Sequence, residues 1–326
     1  MSWSGIADSE SRLVSAQRAP SPDTTIQSEQ RGAVVTAFVA NVLVAAAKAG
    51  AFLLTGSSAL LAEALHSLAD SVNEILLLVG ARRSIRPADR RHPFGHARYR
   101  YVYAFIVSLT VFWIGGVLAV IEGVSHLTSR EALVDPRWAF VVLGIGAVLD
   151  GWSLRTTIRA GRSAKGTRSW RELLRVTKAP ELIVVFLEDL GALIGIGIAF
   201  IGVSLTTVTG DGAWDAIASI GIGILLMAIG LLVNRETQSL LIGEAASPEM
   251  VTAIRDAIAG TPGIEGVVEL RTIHVGPDDL VVAAAFLVNP GSDATGIAQA
   301  IVEAKARVQR ATPFRTVIFL EPRLKG

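Results

Sequence analysis

The chain has 326 residues, of which 51% are hydrophobic and only 18% charged, with a formal net charge of +1 and a mean hydropathy of +0.50. A soluble domain carries roughly 25% charged residues, and the deficit here sits in long apolar runs, so the composition indicates a membrane protein and argues against a nucleic-acid partner. There is no Cys, which excludes disulfides, thiolate metal sites and cysteine nucleophiles and leaves His, Asp, Glu and backbone oxygen to hold any metal.

Residues 1–31 are polar and Ser-rich and lack the apolar stretch of a secretory signal peptide, so they read as a disordered cytoplasmic tail. A helix needs about 20 mostly apolar residues to cross the hydrocarbon core. Six runs meet that length, at 33–54, 58–80, 101–123, 138–158, 181–206 and 214–233, so residues 32–235 read as a six-helix transmembrane domain. Lys and Arg in short loops set the orientation. Seven arginines lie between Arg82 and Arg100, and eight basic residues lie between Arg155 and Lys178. The loop after the third run holds only Arg130 and Arg137, and the loop after the fifth holds none. Both basic loops therefore face the cytoplasm, together with both termini.

After Arg235 the composition is that of a soluble domain, and residues 236–326 read as a cytoplasmic C-terminal module. Ser247 and Pro248 form an N-cap signature for a helix reaching about Gly260. Strands are expected at 264–274 and 279–289, joined by the turn Gly276-Pro277-Asp278. A helix at 293–311 and a strand at 314–320 complete an αββαβ order, which suits a two-layer α+β fold. A module of about 80 residues has little core of its own, so dimerisation is expected.

Ionisable groups inside apolar spans are costly and mark function by default. Glu63, His66, Asp70 and Asn73 share one face of the second helix by their three- and four-residue spacing. Such a stripe lines an interhelical cavity, either as a site or as a hydrogen-bond network that glues helices together. Glu188 and Asp189 lie in the fifth apolar run. Adjacent carboxylates there require a cation or protons. Counted at 1.5 Å per residue, His66 and Asp70 lie ~12–18 Å from the outer end of their helix, and Glu188 and Asp189 ~12–14 Å from the cytoplasmic end of theirs. Both sets fall near mid-membrane. Asp150 lies at a similar depth and either joins the site or pairs with Arg155 or Lys48. One imidazole with two or three carboxylates suits a borderline divalent ion such as zinc, manganese, iron(II) or cobalt. Gly191, Gly195, Gly197 and Gly202 are expected to let the fifth helix pack closely on a neighbour.

Two segments resemble the cation diffusion facilitators: Ser58-Ala-Leu-Leu-Ala-Glu-Ala-Leu-His-Ser-Leu-Ala-Asp-Ser71 and Arg91-His-Pro-Phe-Gly-His-Ala-Arg-Tyr-Arg-Tyr101. The resemblance implies export of a divalent metal in exchange for protons, by a homodimer with a ferredoxin-like cytoplasmic domain. It assigns His66 and Asp70 on the second helix and Asp189 on the fifth as transport ligands. The family's other fifth-helix ligand falls on Val185, and Glu188 is the nearest substitute. The Leu187-Glu188-Asp189 pattern is similar to the branch that includes the mitochondrial-type zinc transporters. A second family site matches Asp89, His92 and His96 in the loop, where the alternative is a solvated turn. A strand-end position that is commonly His in the family reads Phe319 here. Only His274 offers imidazole in the tail, so weak or no metal binding is expected there.

The expected function is a multi-pass exporter, of a bacterial plasma membrane, for a divalent metal cation, zinc first. Protons and the bilayer are its other partners, and no resident cofactor or enzymatic activity is expected. The competing reading is a metal-binding membrane sensor or structural protein that does not translocate.

Overall fold

A computed structural model describes residues 24–129, 133–165, 178–288 and 291–324. The membrane part holds α1 (Thr24–Thr55), α2 (Ser58–Ser84), α3, α4 (Arg137–Lys165), α5 (Pro180–Thr209) and α6 (Ala213–Ile242). Helix α3 is one rod in three pieces, an α-helix at Tyr99–Thr110, a π-helical stretch at Val111–Val117 and an α-helix at Leu118–Ser129. Among the described residues, five helices are long and apolar enough to cross a membrane: Ser58–Ser84, Tyr99–Thr128, Arg137–Arg159, Pro180–Thr209 and Ala213–Ile242. Within α1, Asn41–Thr55 forms a shorter apolar helical stretch. Large apolar side chains such as Leu43, Val148, Trp152, Ile201 and Leu231 stand exposed on the outside of the bundle, as lipid contact requires.

Several expected boundaries move. Helix α1 already runs from Thr24, so residues 24–31 are helical where a disordered tail was expected; residues 1–23 lie outside the described set. Helix α6 continues to Ile242, past the boundary expected at Arg235.

Helix entry and exit follow local chemistry. Gly56 adopts φ +72° after α1, where a side chain would be strained. Ser57 caps α2 by accepting from the Leu60 N–H at 3.2 Å. The Ser57 and Ser58 hydroxyls donate to Asp215 on α6 at 2.6 and 2.9 Å, and the Ala59 N–H donates to the same carboxylate at 3.2 Å. The start of α2 is thereby clamped to the first turn of α6.

Small residues set the helix crossings. A Cβ at Gly116 on α3 would meet the backbone of α6 at Met227, and one at Gly223 on α6 would meet the α3 carbonyl of Gly116. On α5, Gly191, Gly195 and Gly202 face neighbouring side chains. Gly197 does not follow the expectation: it is exposed, and a Cβ there would meet no neighbouring helix within 4 Å.

The C-terminal lobe follows as α7 (Pro248–Ala259), β1 (Ile264–Gly276), β2 (Asp279–Val288), α8 (Ala294–Ala311) and β3 (Arg315–Leu324). Ser247 caps α7 through the Met250 N–H, and Asp293 caps α8 through the Gly296 N–H. The sheet order is β1-β2-β3, with β1 and β2 antiparallel and β2 and β3 parallel across the α8 crossover. Ile254 and Ile258 of α7, Ala304 and Val308 of α8, and Leu280 and Phe286 of β2 form its core. Pro322 is tolerated because β3 is an edge strand, where a missing N–H breaks no further ladder.

Candidate metal centres

The α2 and α5 stripes meet. Asn73 Nδ2 donates to Glu188 Oε1 at 2.6 Å, tying the polar face of α2 to that of α5 at one depth. A cavity of about 340 Å³ opens beside this contact, with Asp70, Asp150, Glu188 and Asp189 in its wall. Leu77 and Thr156, toward the ends of α2 and α4 that lead into the basic loops, also line it. Val185 also lines it, so the position where the resemblance lacks a ligand does face the cavity.

Each carboxylate is held differently. Asp189 accepts from Ser153 Oγ at 2.8 Å and from Thr157 Oγ1 at 2.7 Å, both on α4. Glu188 is buried and held by Asn73. Asp70 Oδ1 lies 3.5 Å from His66 Nδ1. His66 is fully buried, and neither ring nitrogen has a hydrogen-bond partner among the described residues. It is not part of the cavity wall but adjoins Asp70, which is. Sequence spacing could not reveal this depth ordering, because it fixes the helix face but not how far each side chain reaches.

Glu63 has a different partner. Its Oε2 lies 2.8 Å from Lys48 Nζ, and both side chains are fully buried. Of the pairings open for Asp150, the structure contains the one with Lys48, at 3.9 Å. Apart from a lone lysine in an apolar run, nothing in the residue pattern points to the Lys48–Glu63 pair.

The loop between α2 and α3 holds the tightest cluster. Among the described residues, Asp89, His92 and His96 are the one group of three whose ligand atoms all lie within 4.8 Å of one another. His92 Nδ1 lies 3.3 Å from Asp89 Oδ1, and His96 Nε2 lies 3.5 Å from Asp89 Oδ2. His96 Nδ1 faces the Pro87 carbonyl at 3.1 Å, which favours the proton there and leaves Nε2 free to ligate. The backbone N–H groups of His92 and Arg91 donate to Asp89 and hold its carboxyl below its ordinary range, ready as an anion. The membrane residues His66, Asp70, Glu188 and Asp189 do not form so compact a group. Asp70 and His66 are close, but Asp189 is held toward α4 by its two hydroxyl donors.

In the C-terminal lobe His274 is buried against Phe314, ring centroids 4.9 Å apart, and burial pushes its pKa down to about 4. Phe319 is exposed on β3 and makes an edge contact with Phe94 of the α2–α3 loop.

Residues 34–242 match the cation efflux transmembrane domain. The human protein "Proton-coupled zinc antiporter SLC30A9, mitochondrial" is 30% identical over 230 residues, 69% of this chain and 40% of its own. "Metal tolerance protein C4" of Arabidopsis thaliana is 28% identical over 253 residues, covering 77% of this chain and 55% of its own. "Cation-efflux pump FieF" of Serratia proteamaculans is 29% identical over 224 residues, 68% of this chain and 69% of its own. The match thus spans about two fifths of the mitochondrial relative's length. Five apolar helices of spanning length and a matched domain covering well over half of the chain make this an integral multi-pass membrane protein. The chain belongs to the cation efflux family, the cation diffusion facilitators, whose members are metal transporters and among which it is similar to the mitochondrial-type zinc transporters.

Proposed function

We propose that the protein exports a divalent transition-metal cation from the cytoplasm in exchange for protons, with zinc as the leading substrate and the α2/α5 cavity as the transport site. The observation that carries this reading is the cavity wall, where Asp70, Glu188 and Asp189 converge within an apolar bundle and His66 stands behind Asp70. Carboxylates with one imidazole suit zinc and leave manganese, iron(II) and cobalt within reach. The zinc antiport named for the mitochondrial relatives supports the same order.

Proton exchange follows from shared atoms. Metal binding needs ionised carboxylates and a neutral His66, so protons and metal compete for the same sites. An empty site that takes up protons avoids bare buried charge. In this reading α1 completes six crossings, and the basic loops and both termini lie in the cytoplasm of a bacterial cell. The cavity then opens inward, and Asp89, His92 and His96 sit near its cytoplasmic mouth. Helices α1 to α6 form the transport unit, and the C-terminal lobe pairs two copies. The metal is cargo, and the mechanism needs no resident cofactor or enzymatic step.

A second reading, metal sensing without translocation, is favoured by one observation: the compact three-ligand cluster lies in the loop and not in the membrane. Reconstitution into liposomes separates the two. Zn²⁺ flux is expected to accelerate with an opposing proton gradient, to slow when an ionophore collapses it, and to vanish in Asp70→Ala. Binding without flux supports the sensor, and flux indifferent to the gradient supports a uniporter.

A further inference from the structure

Lys48, on α1, puts a fully buried ammonium in the middle of the bundle. It donates to Glu63 Oε2 at 2.8 Å and Ser67 Oγ at 2.9 Å, both on α2, and stands 3.9 Å from Asp150 Oδ2 on α4. The two carboxylates differ in surroundings. Glu63 has no accessible surface, whereas Asp150 is 21% accessible and belongs to the cavity wall with Asp70, Glu188 and Asp189. One tethered cation is therefore in reach of a sealed anion and of a cavity anion.

The surrounding helices leave room for this side chain. A Cβ at Gly146, about one turn before Asp150, would come 3.4 Å from Lys48 Cε. A Cβ at Gly195 on α5 would collide with Glu63 Oε1, so that glycine lets the glutamate seat beside the lysine. A buried pair that only joined α1 to α2 would be complete with Glu63 and Ser67. The approach to Asp150 adds a link to the cavity.

We propose that Lys48 is a positioning residue of the transport site, a tethered cation that competes with the travelling metal for Asp150 and thereby weakens binding and speeds release. This rests on the α2/α5 cavity being the transport site. With the cavity empty, the ammonium leans on Asp150 and offsets part of the wall's negative charge. An entering divalent ion carries twice the charge and binds oxygen at shorter range, so it takes Asp150 and leaves Lys48 to Glu63. When the metal departs, the ammonium returns to Asp150.

The test is equilibrium Zn²⁺ binding to the purified full-length protein in detergent, with His96→Ala in every sample to silence the loop cluster. Lys48→Gln removes the competing charge and keeps a donor for Glu63 and Ser67; affinity is expected to rise about tenfold. Glu63→Gln frees the ammonium for Asp150; affinity is expected to fall about tenfold. A pair that merely joins helices would weaken binding in both variants or change it in neither, and either result overturns the proposal. Glu63→Gln alone still decides if Lys48→Gln does not fold, since unchanged or tighter binding there overturns it. Liposome flux is read separately, and Lys48→Gln is expected to lower both KM and kcat for Zn²⁺. Wild-type protein that binds but does not transport defeats the exporter reading while the affinity comparison still judges Lys48. Wild-type protein that transports while both variants keep its affinity defeats Lys48 alone. Absence of saturable binding in the His96→Ala protein defeats both.

Discussion

Asp189 is oriented by two hydroxyls from a helix that contributes no family ligand. Ser153 and Thr157 are one turn apart on α4, so both reach the same carboxylate from one face. Groups that fix a ligand's orientation typically matter about 10–100-fold for metal affinity. The Ser153→Ala, Thr157→Ala double variant is therefore expected to bind Zn²⁺ about tenfold more weakly while its fold survives, measured by competition with a zinc dye. Val185 is the second informative position, because its side chain faces the cavity. Val185→His is expected to raise the preference for Zn²⁺ over Mn²⁺, since imidazole suits zinc better; a competitive flux assay reads the ranking. The spacing of Glu63, His66, Asp70 and Asn73 exposed a polar face of α2 in the sequence. It could not divide that face between partners, because the rotations of α1 and α5 decide it. Lys48 takes Glu63 and approaches Asp150, and Glu188 takes Asn73.

Hydropathy located the centres of helices α2 to α6 and underestimated their ends. Arg82 and Arg83 of α2 and Arg159 of α4 lie inside helices, because long basic side chains can reach the interface while the backbone stays helical. Helix α6 likewise continues through Arg235 and on to Ile242. The π-helical stretch in α3 left no mark in the apolar pattern, as it arises where Gly115 and Gly116 meet α6. The clamp on α2 was equally hidden, since Asp215 and Ser57 are separated by 158 positions. Its loss should be expensive: Asp215→Ala leaves the Ser57 and Ser58 hydroxyls and the Ala59 N–H without their acceptor. A destabilisation on the order of 3 kcal/mol is expected, visible as a lower melting temperature in detergent, whereas Asp215→Asn keeps one acceptor oxygen and should cost less.

The two lobes touch through charge and aromatic contacts at the basic end of the bundle. Arg100 pairs with Glu181 at 2.5 Å and lies 3.5 Å from Asp278 in the β1–β2 turn. Phe94 meets Phe319, Lys178 pairs with Glu244, and the His274 N–H donates to the Glu244 carbonyl at 2.8 Å. The turn signals, caps and strands of the C-terminal lobe were legible because its sequence alternates between ordinary soluble patterns. The burial of His274 was not, since a lone imidazole next to a turn carries no periodic signal of the core. Its partner is Phe314, brought in by the α8 crossover. The lobe has its own core, and residues 247–326 alone are expected to be soluble and dimeric by light scattering, because so small a core needs support. His274 then gives the lobe a pH signature. Burial holds its folded pKa at about 4, below the ordinary 6.5, so the folded state binds fewer protons than the unfolded state in between. Its contribution to stability is complete above pH 6.5 and is lost as the pH falls toward 4. Between pH 7 and pH 5 the loss is roughly 2 kcal/mol. Chemical melts of the lobe are expected to record that loss, and His274→Gln, which cannot titrate, is expected to flatten it. Equal pH dependence in both proteins would mean that His274 takes up its proton without opening the core.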